Sequence, residues 1–170
     1  MAVEIRDAVE ADLPHIVEIY NSTVPTRMVT ADPEPVSVES RRVWFREHDP
    51  ESYPIWVVEA DGAVIGWLSF EPFRKRSAYR ATAEIGVYVS EDHRRKGIGR
   101  RLLGEAIRRG PALGLKTLTG GIFAHNGPSL ELFEGFGFER WAHFPKVAEL
   151  DGVERDLVVL GLRLGGTREA

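Results

Sequence analysis

The chain has 170 residues, 43% of them hydrophobic and 28% charged, which is the size and composition of one globular domain with a sizeable core. Its formal net charge of −4 argues against a broad nucleic-acid-binding surface. The absence of cysteine excludes disulfides, thiolate metal sites and a cysteine nucleophile. The sequence has no apolar run of the ~20 residues that cross a membrane, and its first residues lack the pattern of a signal peptide. We therefore expect a cytoplasmic protein without membrane or nucleic-acid partners.

Hydrophobic periodicity and turn residues predict alternating strands and helices. A stripe of apolar residues at helical spacing predicts a first helix with Asp12 as its N-cap, and Asp61-Gly62 between two apolar runs predicts a β-hairpin. Residues 21–35 are polar and include three prolines, so a loop is expected there. The predicted strands span 3–5, 55–58, 64–70, 83–89, 115–123, 138–147 and 157–162. The predicted helices span 13–20, 37–47, 98–107 and 129–136.

The order of these elements indicates the fold class. Hairpins near both ends flank one strand–helix–strand crossover, which is typical of an α+β domain rather than of a doubly wound parallel sheet. No internal repeat or low-complexity segment divides the sequence. We therefore predict one domain over residues 1–164, followed by a frayed tail over residues 165–170.

A basic loop with two glycines joins the strand 83–89 to the next helix. Its sequence is Arg94-Arg95-Lys96-Gly97-Ile98-Gly99. Glycines let backbone N–H groups converge on an anion, and the helix N-terminus adds partial positive charge at the same place. The loop is neither a P-loop nor a G-x-G-x-x-G motif. By itself it indicates either a phosphate site or a plain glycine turn with solvated basic side chains.

Arg94-x-x-Gly97-x-Gly99 resembles the Q/R-x-x-G-x-G/A loop with which the GNAT superfamily of N-acetyltransferases binds the pyrophosphate of acetyl-coenzyme A. The segments 78–84, 87–89 and 126–138 resemble the phosphinothricin and methionine-sulfoximine acetyltransferase branch, and the match runs in order over residues 5–162. The resemblance implies a GNAT fold, in which a mixed, mostly antiparallel sheet splays at the acetyl-CoA site and about four helices flank it. It also implies an enzyme that moves an acetyl group from acetyl-CoA to the amine of a small amino-acid-like acceptor.

The same resemblance implies which residues hold the co-substrate acetyl-CoA, with no metal at the site. The basic loop would bind the pyrophosphate. The backbone of the preceding strand would pair with the thioester arm and supply an oxyanion donor near Val87 or Tyr88, with Gly86 consistent with a bulge there. Asn126, a good N-cap residue, would also bond the pantetheine arm. The predicted cofactor-binding residues are Val87, Tyr88, Val89, Arg94, Arg95, Lys96, Gly97, Ile98, Gly99 and Asn126.

Glu84 is the candidate general base. It lies on the strand before the basic loop, among small and apolar residues, and such surroundings raise the pKa of a carboxyl group toward neutrality. From spacing alone, an exposed carboxylate paired with Arg80 is the favoured interpretation. The resemblance reverses this preference, because related enzymes carry a glutamate at this position that is assigned as general base.

The leaving thiolate has no obvious proton donor in this sequence. Many relatives carry Tyr or His at the position of Phe133, and phenylalanine cannot donate a proton. Either the thiolate leaves unprotonated, or water or another side chain serves. The alternative donors are Tyr88, His125 and His143, each of which has a structural role as its more ordinary interpretation.

The acceptor site is predicted from a cationic loop and the segment facing it. The resemblance implies that Arg74 and Arg76 bind the α-carboxylate of a free amino acid, as guanidinium groups do in bidentate fashion. The opposite wall is expected from residues 21–32, including Met28, where this sequence lacks the aromatic residue usual in the branch.

Two other functions stay open from the sequence. One is a protein or peptide N-acetyltransferase, against which the arginine loop argues. The other is a non-catalytic module that binds acetyl-CoA, against which Glu84 argues and for which Phe133 is weak support. A homodimer is left open as the assembly.

Overall fold

Seven strands form the central sheet of the computed structural model, which describes residues 1–165. The strands are β1 (Val3–Asp7), β2 (Ile55–Ala60), β3 (Ala63–Pro72), β4 (Thr82–Val89), β5 (Thr117–Phe123), β6 (Glu139–Leu150) and β7 (Val153–Arg163). Their order across the sheet is β1-β2-β3-β4-β5-β7-β6. The pairing of β4 with β5 is parallel and the other pairings are antiparallel. The predicted α+β class and the mixed, mostly antiparallel sheet are therefore confirmed.

Four α-helices flank this sheet within the described residues. They are α1 (Leu13–Thr23), α2 (Val38–Arg46), α3 (Ile98–Arg109) and α4 (Gly127–Glu134). Successive residues of a strand point to opposite faces, and β2 shows this directly. Val57 packs with α1 on one face, whereas Val58 packs with α3 on the other. The sheet thus separates two apolar cores, with α1 and α2 on one face and α3 and α4 on the other.

The two central strands separate part-way along their length. β4 pairs with β5 only from Thr82 to Glu84, where Glu84 lies opposite Thr119. Beyond this point β4 continues to Val89 alongside β3, while β5 continues to Phe123 alongside β7. The predicted splay of the sheet is therefore present, and it leaves one backbone edge of β4 free for a ligand.

Two local predictions were wrong. Asp12 does not cap α1 through its side chain, because its carboxylate accepts hydrogen bonds from Arg6 and from the Val9 N–H. Gly86 is not a bulge, because the register of β3 with β4 runs through it without a shift. A Cβ there would lie 3.1 Å from the Tyr88 ring, so the glycine instead leaves room for that ring.

The bounds of several elements also differ from prediction. The expected loop over residues 21–35 begins later, because α1 extends to Thr23 and a 3-10 turn follows over Val24–Thr26. The predicted hairpin turn is confirmed, since Asp61 and Gly62 both have positive φ, at 51° and 77°. Of the predicted tail over 165–170, residues 166–170 lie outside the described residues.

Candidate functional site

The basic loop places unpaired backbone donors at the start of α3. Arg95 and Gly97 adopt left-handed conformations, with φ of 60° and 81°, and this turns the chain sharply into the helix. The first hydrogen bond of α3 runs from the Arg101 N–H to the Gly97 carbonyl at 3.0 Å. Within residues 1–165, no acceptor takes the N–H of Ile98 or Gly99. Such free donors at a helix N-terminus attract anions.

Full positive charges surround these donors. Arg94, Arg95 and Lys96 have exposed side chains, and none forms an ion pair with any residue that the structure describes. Arg94 makes one long hydrogen bond, from Nε to the Val89 carbonyl at 3.4 Å. Their charges are thus available to a ligand phosphate rather than neutralised within the protein.

A cavity of about 660 Å³ lies between this loop, the end of β4 and the start of α4. Every predicted cofactor-binding residue except Lys96 lines it, as does Met28, which was predicted on the acceptor side. Glu84, Arg74 and Arg76 lie outside its lining. Thr23, Thr26 and Val29 also line it, and they belong to residues 21–32, which were predicted as a wall of the acceptor site. The lining residues that sequence reasoning did not single out are His93, Arg100, Pro128, Ser129 and Leu132.

Asn126 closes the cavity on the side of α4. It is 6% exposed, and its Oδ1 accepts a hydrogen bond from the Ser129 N–H at 3.2 Å. The predicted capping role is therefore confirmed. Because the cap uses the oxygen, the amide nitrogen stays directed to other acceptors, and the side chain can serve both the helix and a ligand in the cavity.

A set of contacts around Arg27, beside the cavity residue Met28, was missed by sequence reasoning. Arg27 adopts a left-handed conformation, and its guanidinium binds Asp151 in the turn between β6 and β7 at 2.8 Å. The Arg27 carbonyl lies 2.9 Å from His125 Nε2. These contacts join three segments that are far apart in sequence, so no local pattern could have revealed them. They hold Met28 in the cavity wall.

Glu84 lies where the two central strands part. It is the last residue of β4 that pairs with β5, and a Cβ built at Gly121 would lie 3.9 Å from its Oε1. Glu84 remains exposed, but partial loss of hydration around its carboxylate raises the pKa of Glu84 above its ordinary value. The nearby charge of Glu71 raises this pKa further, and the charge of Arg74 opposes both effects. The structure shows no ion pair between Glu84 and Arg80.

The two candidate carboxylate-binding arginines differ in their surroundings. The Arg74 guanidinium stacks 4.3 Å from the Phe73 ring centroid and donates to the Phe73 carbonyl, and its charge acts on Glu84. The Arg76 side chain is exposed and has no hydrogen-bond partner within residues 1–165. Only Arg74 is therefore brought next to Glu84.

Comparison with known families decides what this arrangement belongs to. A model of the acetyltransferase (GNAT) family matches residues 15–138, which is well over half of the chain. The chain belongs to the GNAT family of acetyltransferases. The free edge of β4, the N-terminus of α3 and the cavity between them offer charge and hydrogen-bonding groups of the kind that acetyl-CoA requires.

Individual relatives match nearly the whole of this GNAT chain. A Bacillus subtilis (strain 168) protein, YwnH, whose name provisionally assigns it as a phosphinothricin acetyltransferase, is 50% identical, with 94% of this chain and 98% of YwnH covered. The L-methionine sulfoximine/L-methionine sulfone acetyltransferase of Pseudomonas paraeruginosa (strain DSM 24068 / PA7) is 37% identical, covering 100% and 99%. A phosphinothricin acetyltransferase from Sinorhizobium meliloti, solved with acetyl-CoA, superposes with a TM-score of 0.91 at 33% identity, covering 100% and 92%.

The GNAT protein is therefore an enzyme that uses acetyl-CoA as its co-substrate, and its own residues fit that molecule. The unpaired N–H groups and free cations suit the pyrophosphate. A Cβ at Gly99 would lie 3.4 Å from Leu132 Cδ2, so a side chain there would fill the narrow space between α3 and α4. The open edge of β4 suits the amide groups of the pantetheine arm.

The three alternative thiolate donors have other roles in this GNAT enzyme. Tyr88 stacks on Trp67 at 4.3 Å, and burial raises the pKa of its hydroxyl well above the usual range. His143 is exposed and pairs with Asp156 at 2.7 Å. His125 stacks on Phe123 and contacts the Arg27 carbonyl.

Over residues 1–165, no helix is long and apolar enough to cross a membrane.

Proposed function

We propose that this enzyme transfers the acetyl group of acetyl-CoA to the amine of a small amino-acid-like acceptor, such as phosphinothricin or methionine sulfoximine, with Glu84 as general base. The observation that carries the proposal is the position of Glu84 at the point where β4 separates from β5. Along the chain, Glu84 follows the arginine loop and directly precedes the part of β4 whose edge is open.

The charges around Glu84 suit the two ends of an amino acid. Glu71 lies directly opposite Glu84 in the register of β3 and β4, so two carboxylates lie on one face of the sheet, and their negative charge favours a cationic amine there. Arg74 supplies a positive charge beside them, and an α-carboxylate would bind there. Arg76 lies two residues further along the same exposed loop and would join Arg74 on a carboxylate.

The chemistry follows from these placements. Glu84 takes one proton from the acceptor ammonium, directly or through a water molecule, and so frees its lone pair. The amine nitrogen then attacks the thioester carbon, a C–N bond forms, and the C–S bond breaks. A backbone N–H on the open edge of β4 stabilises the developing oxyanion. As the C–S bond breaks, the attacking nitrogen releases its second proton to solvent and becomes an amide nitrogen. The sulfur leaves as the thiolate of CoA and takes a proton from solvent, because Phe133 cannot provide one.

A screen for thiol release tests this function. The purified protein is mixed with acetyl-CoA and with free amino acids, methionine sulfoximine, phosphinothricin, polyamines and peptides in separate reactions. We expect CoA release and an N-acetylated product with one or more of the amino-acid-like compounds. Turnover only with peptides would contradict the small acceptor and indicate a protein N-acetyltransferase. Binding of acetyl-CoA without turnover on any amine would indicate a non-catalytic binding module.

A matched control separates the role of Glu84 from a general effect of charge. Glu18 on α1 is highly exposed and distant from the cavity lining. Glu18→Gln should react with the same acceptors at the wild-type rate. An unchanged rate in Glu18→Gln would show that loss of one surface carboxylate does not by itself alter turnover.

A further inference from the structure

Glu71, the cross-strand neighbour of Glu84, is paired with a buried histidine that has no part in the proposed chemistry. His48 follows α2 in the chain, its side chain is 7% exposed, and its Nε2 lies 3.1 Å from Glu71 Oε1. The same carboxylate oxygen accepts a hydrogen bond from Trp44 Nε1 at 2.9 Å. Glu71 is thereby fixed from the α2 side while it faces Glu84 across the strand pair.

The contacts of His48 define its protonation state. Its Nδ1 lies 2.7 Å from the Trp44 carbonyl, which can only accept a hydrogen bond. Its Nε2 faces a carboxylate, which when ionised also only accepts. Both ring nitrogens must carry a proton to make both hydrogen bonds, so His48 is held as the imidazolium cation.

The electrostatics of the pocket agree with this geometry. Burial alone would lower the pKa of His48, but the hydrogen bonds to Glu71 and to backbone carbonyls, together with the charge of Glu71, raise it above its ordinary value overall. His48 and Glu71 thus form an ion pair in which the histidine is buried and the carboxylate is partly exposed. Its negative member lies nearer to Glu84 than its positive member does, because Glu71 is the direct cross-strand neighbour.

Other charged or titratable groups near Glu84 are few. Arg74 approaches from the loop after β3 and favours the ionised form of Glu84. Tyr88, on the same face of β4, has its pKa raised by burial and stays neutral. From α2, Arg41 pairs with Asp32 at 3.1 Å and stacks over Tyr20 and Trp44, so its charge is balanced. From β5, Gly121 brings no charge toward Glu84.

We propose that Glu71 and His48 are positioning residues for acetyl transfer, an ion pair whose balance of charge governs how readily Glu84 takes a proton from the acceptor amine. This inference rests on the proposed role of Glu84 as general base. Glu71 favours the protonated form of Glu84 by like-charge repulsion, and His48 limits that repulsion by neutralising Glu71. The two residues therefore act on Glu84 in opposite directions.

Two isosteric variants test this opposition. Glu71→Gln keeps an oxygen for Trp44 and removes the negative charge, and His48→Gln keeps a donor toward Glu71 and removes the positive charge. A base works only when deprotonated, so kcat/KM rises with pH through an acid limb. We expect Glu71→Gln to move the midpoint of that limb to lower pH and His48→Gln to move it to higher pH, each by about 0.5 to 1 pH unit.

The chain offers a matched control pair. His15 and Glu18 form an exposed histidine–carboxylate contact at 4.0 Å on α1. His15→Gln and Glu18→Gln make the same chemical changes away from the site and should leave the acid limb in place. Shifts of the limb in the same direction in both site variants, or no shift in either, would overturn the proposal.

Nuclear magnetic resonance keeps the proposal testable if a variant fails to fold. In the wild type, the ¹⁵N shifts of His48 should show both ring nitrogens protonated at pH 7, and a neutral ring would overturn the proposal. The ¹³C carboxyl resonance of Glu84 should titrate at lower pH in Glu71→Gln than in the wild type, and an unchanged titration would overturn it too. Because these titrations need no substrate, they judge the ion pair even if the wild type fails to acetylate an amine.

Discussion

The ring of Phe133 lies against the backbone of Gly120. A Cβ built at position 120 would come within 2.6 Å of the ring, and the ring meets Phe138 edge-on at 4.9 Å. Phe133 is 4% exposed and belongs to the core on the α3 and α4 face. The position at which the family resemblance predicts a proton donor is therefore occupied here by a core residue, and a glycine on β5 makes the space for it.

Adding one methyl group at Gly120 should destabilise the fold. In Gly120→Ala the new Cβ collides with the Phe133 ring, which is packed on all sides and can yield only by disturbing the core. We expect a loss of about 1–3 kcal/mol in the free energy of unfolding, as for other overpacked cores, measured by urea unfolding. Gly121→Ala is the matched control, because its Cβ would meet nothing closer than 3.8 Å; equal losses in both would contradict the packing account.

The fold was predictable where local chemistry determines it. The Asp61-Gly62 turn needs two residues that tolerate positive φ, and the apolar face of α3 repeats at helical spacing, so both were correct from sequence. The predicted side-chain cap at Asp12 was wrong, because Arg6 on β1 and the Val9 N–H compete for its carboxylate. That competition exists only once β1 and α1 are placed side by side.

The candidate site divides in the same way. The residues of the basic loop are contiguous, so one motif predicted nearly all of the cavity lining on that side. The ion pair of Glu71 with His48 escaped prediction, because its members are 23 residues apart and meet only when α2 packs on β3. Likewise the ion pair of Arg27 and Asp151 joins positions 124 residues apart. Local sequence patterns predict helices and strands, but they do not indicate which distant side chains will meet.

The phosphate site at the start of α3 can be tested without an acceptor. Acetyl-CoA should raise the melting temperature of the wild type, and 3′-dephospho-CoA should do so nearly as well, because the pyrophosphate is the anchor. Gly99→Glu should abolish both shifts, since it puts a negative charge and a side chain beside the free N–H groups and Leu132. Arg108→Glu, which changes an exposed residue in the last turn of the same helix, serves as control and should keep both shifts.

The arginine loop should discriminate between free acids and amides. If Arg74 and Arg76 bind the α-carboxylate, the amide of the best acceptor should lose about 10–150-fold in kcat/KM, which is the effect of one charge-assisted hydrogen bond of about 1.5–3 kcal/mol. The double variant Arg74→Ala/Arg76→Ala should slow the free acid much more than the amide. Equal rates for acid and amide in the wild type would contradict carboxylate binding by these arginines and favour a peptide acceptor.

Arg74 should also influence the pH dependence of the reaction. Its positive charge lowers the pKa of Glu84, whereas burial and Glu71 raise it, and the net result lies above the ordinary glutamate value. Removing the charge in Arg74→Gln should therefore raise the pKa of Glu84 and shift the acid limb of kcat/KM to higher pH. Lys75→Gln, which changes an exposed neighbour in the same loop, is the control and should shift it less. A shift to lower pH in Arg74→Gln would contradict this arrangement of charges.

The most direct measurement is the turnover of Glu84→Gln with the best acceptor from the thiol-release screen. Glutamine keeps the size and the hydrogen bonding of the side chain but cannot take the proton of the amine. We predict that kcat at neutral pH falls by about 10²–10⁴-fold, the range of general acid–base catalysis, while the affinity for acetyl-CoA stays at the wild-type value. Full activity of Glu84→Gln at neutral pH would contradict the account, because the amine would then lose its proton without this carboxylate.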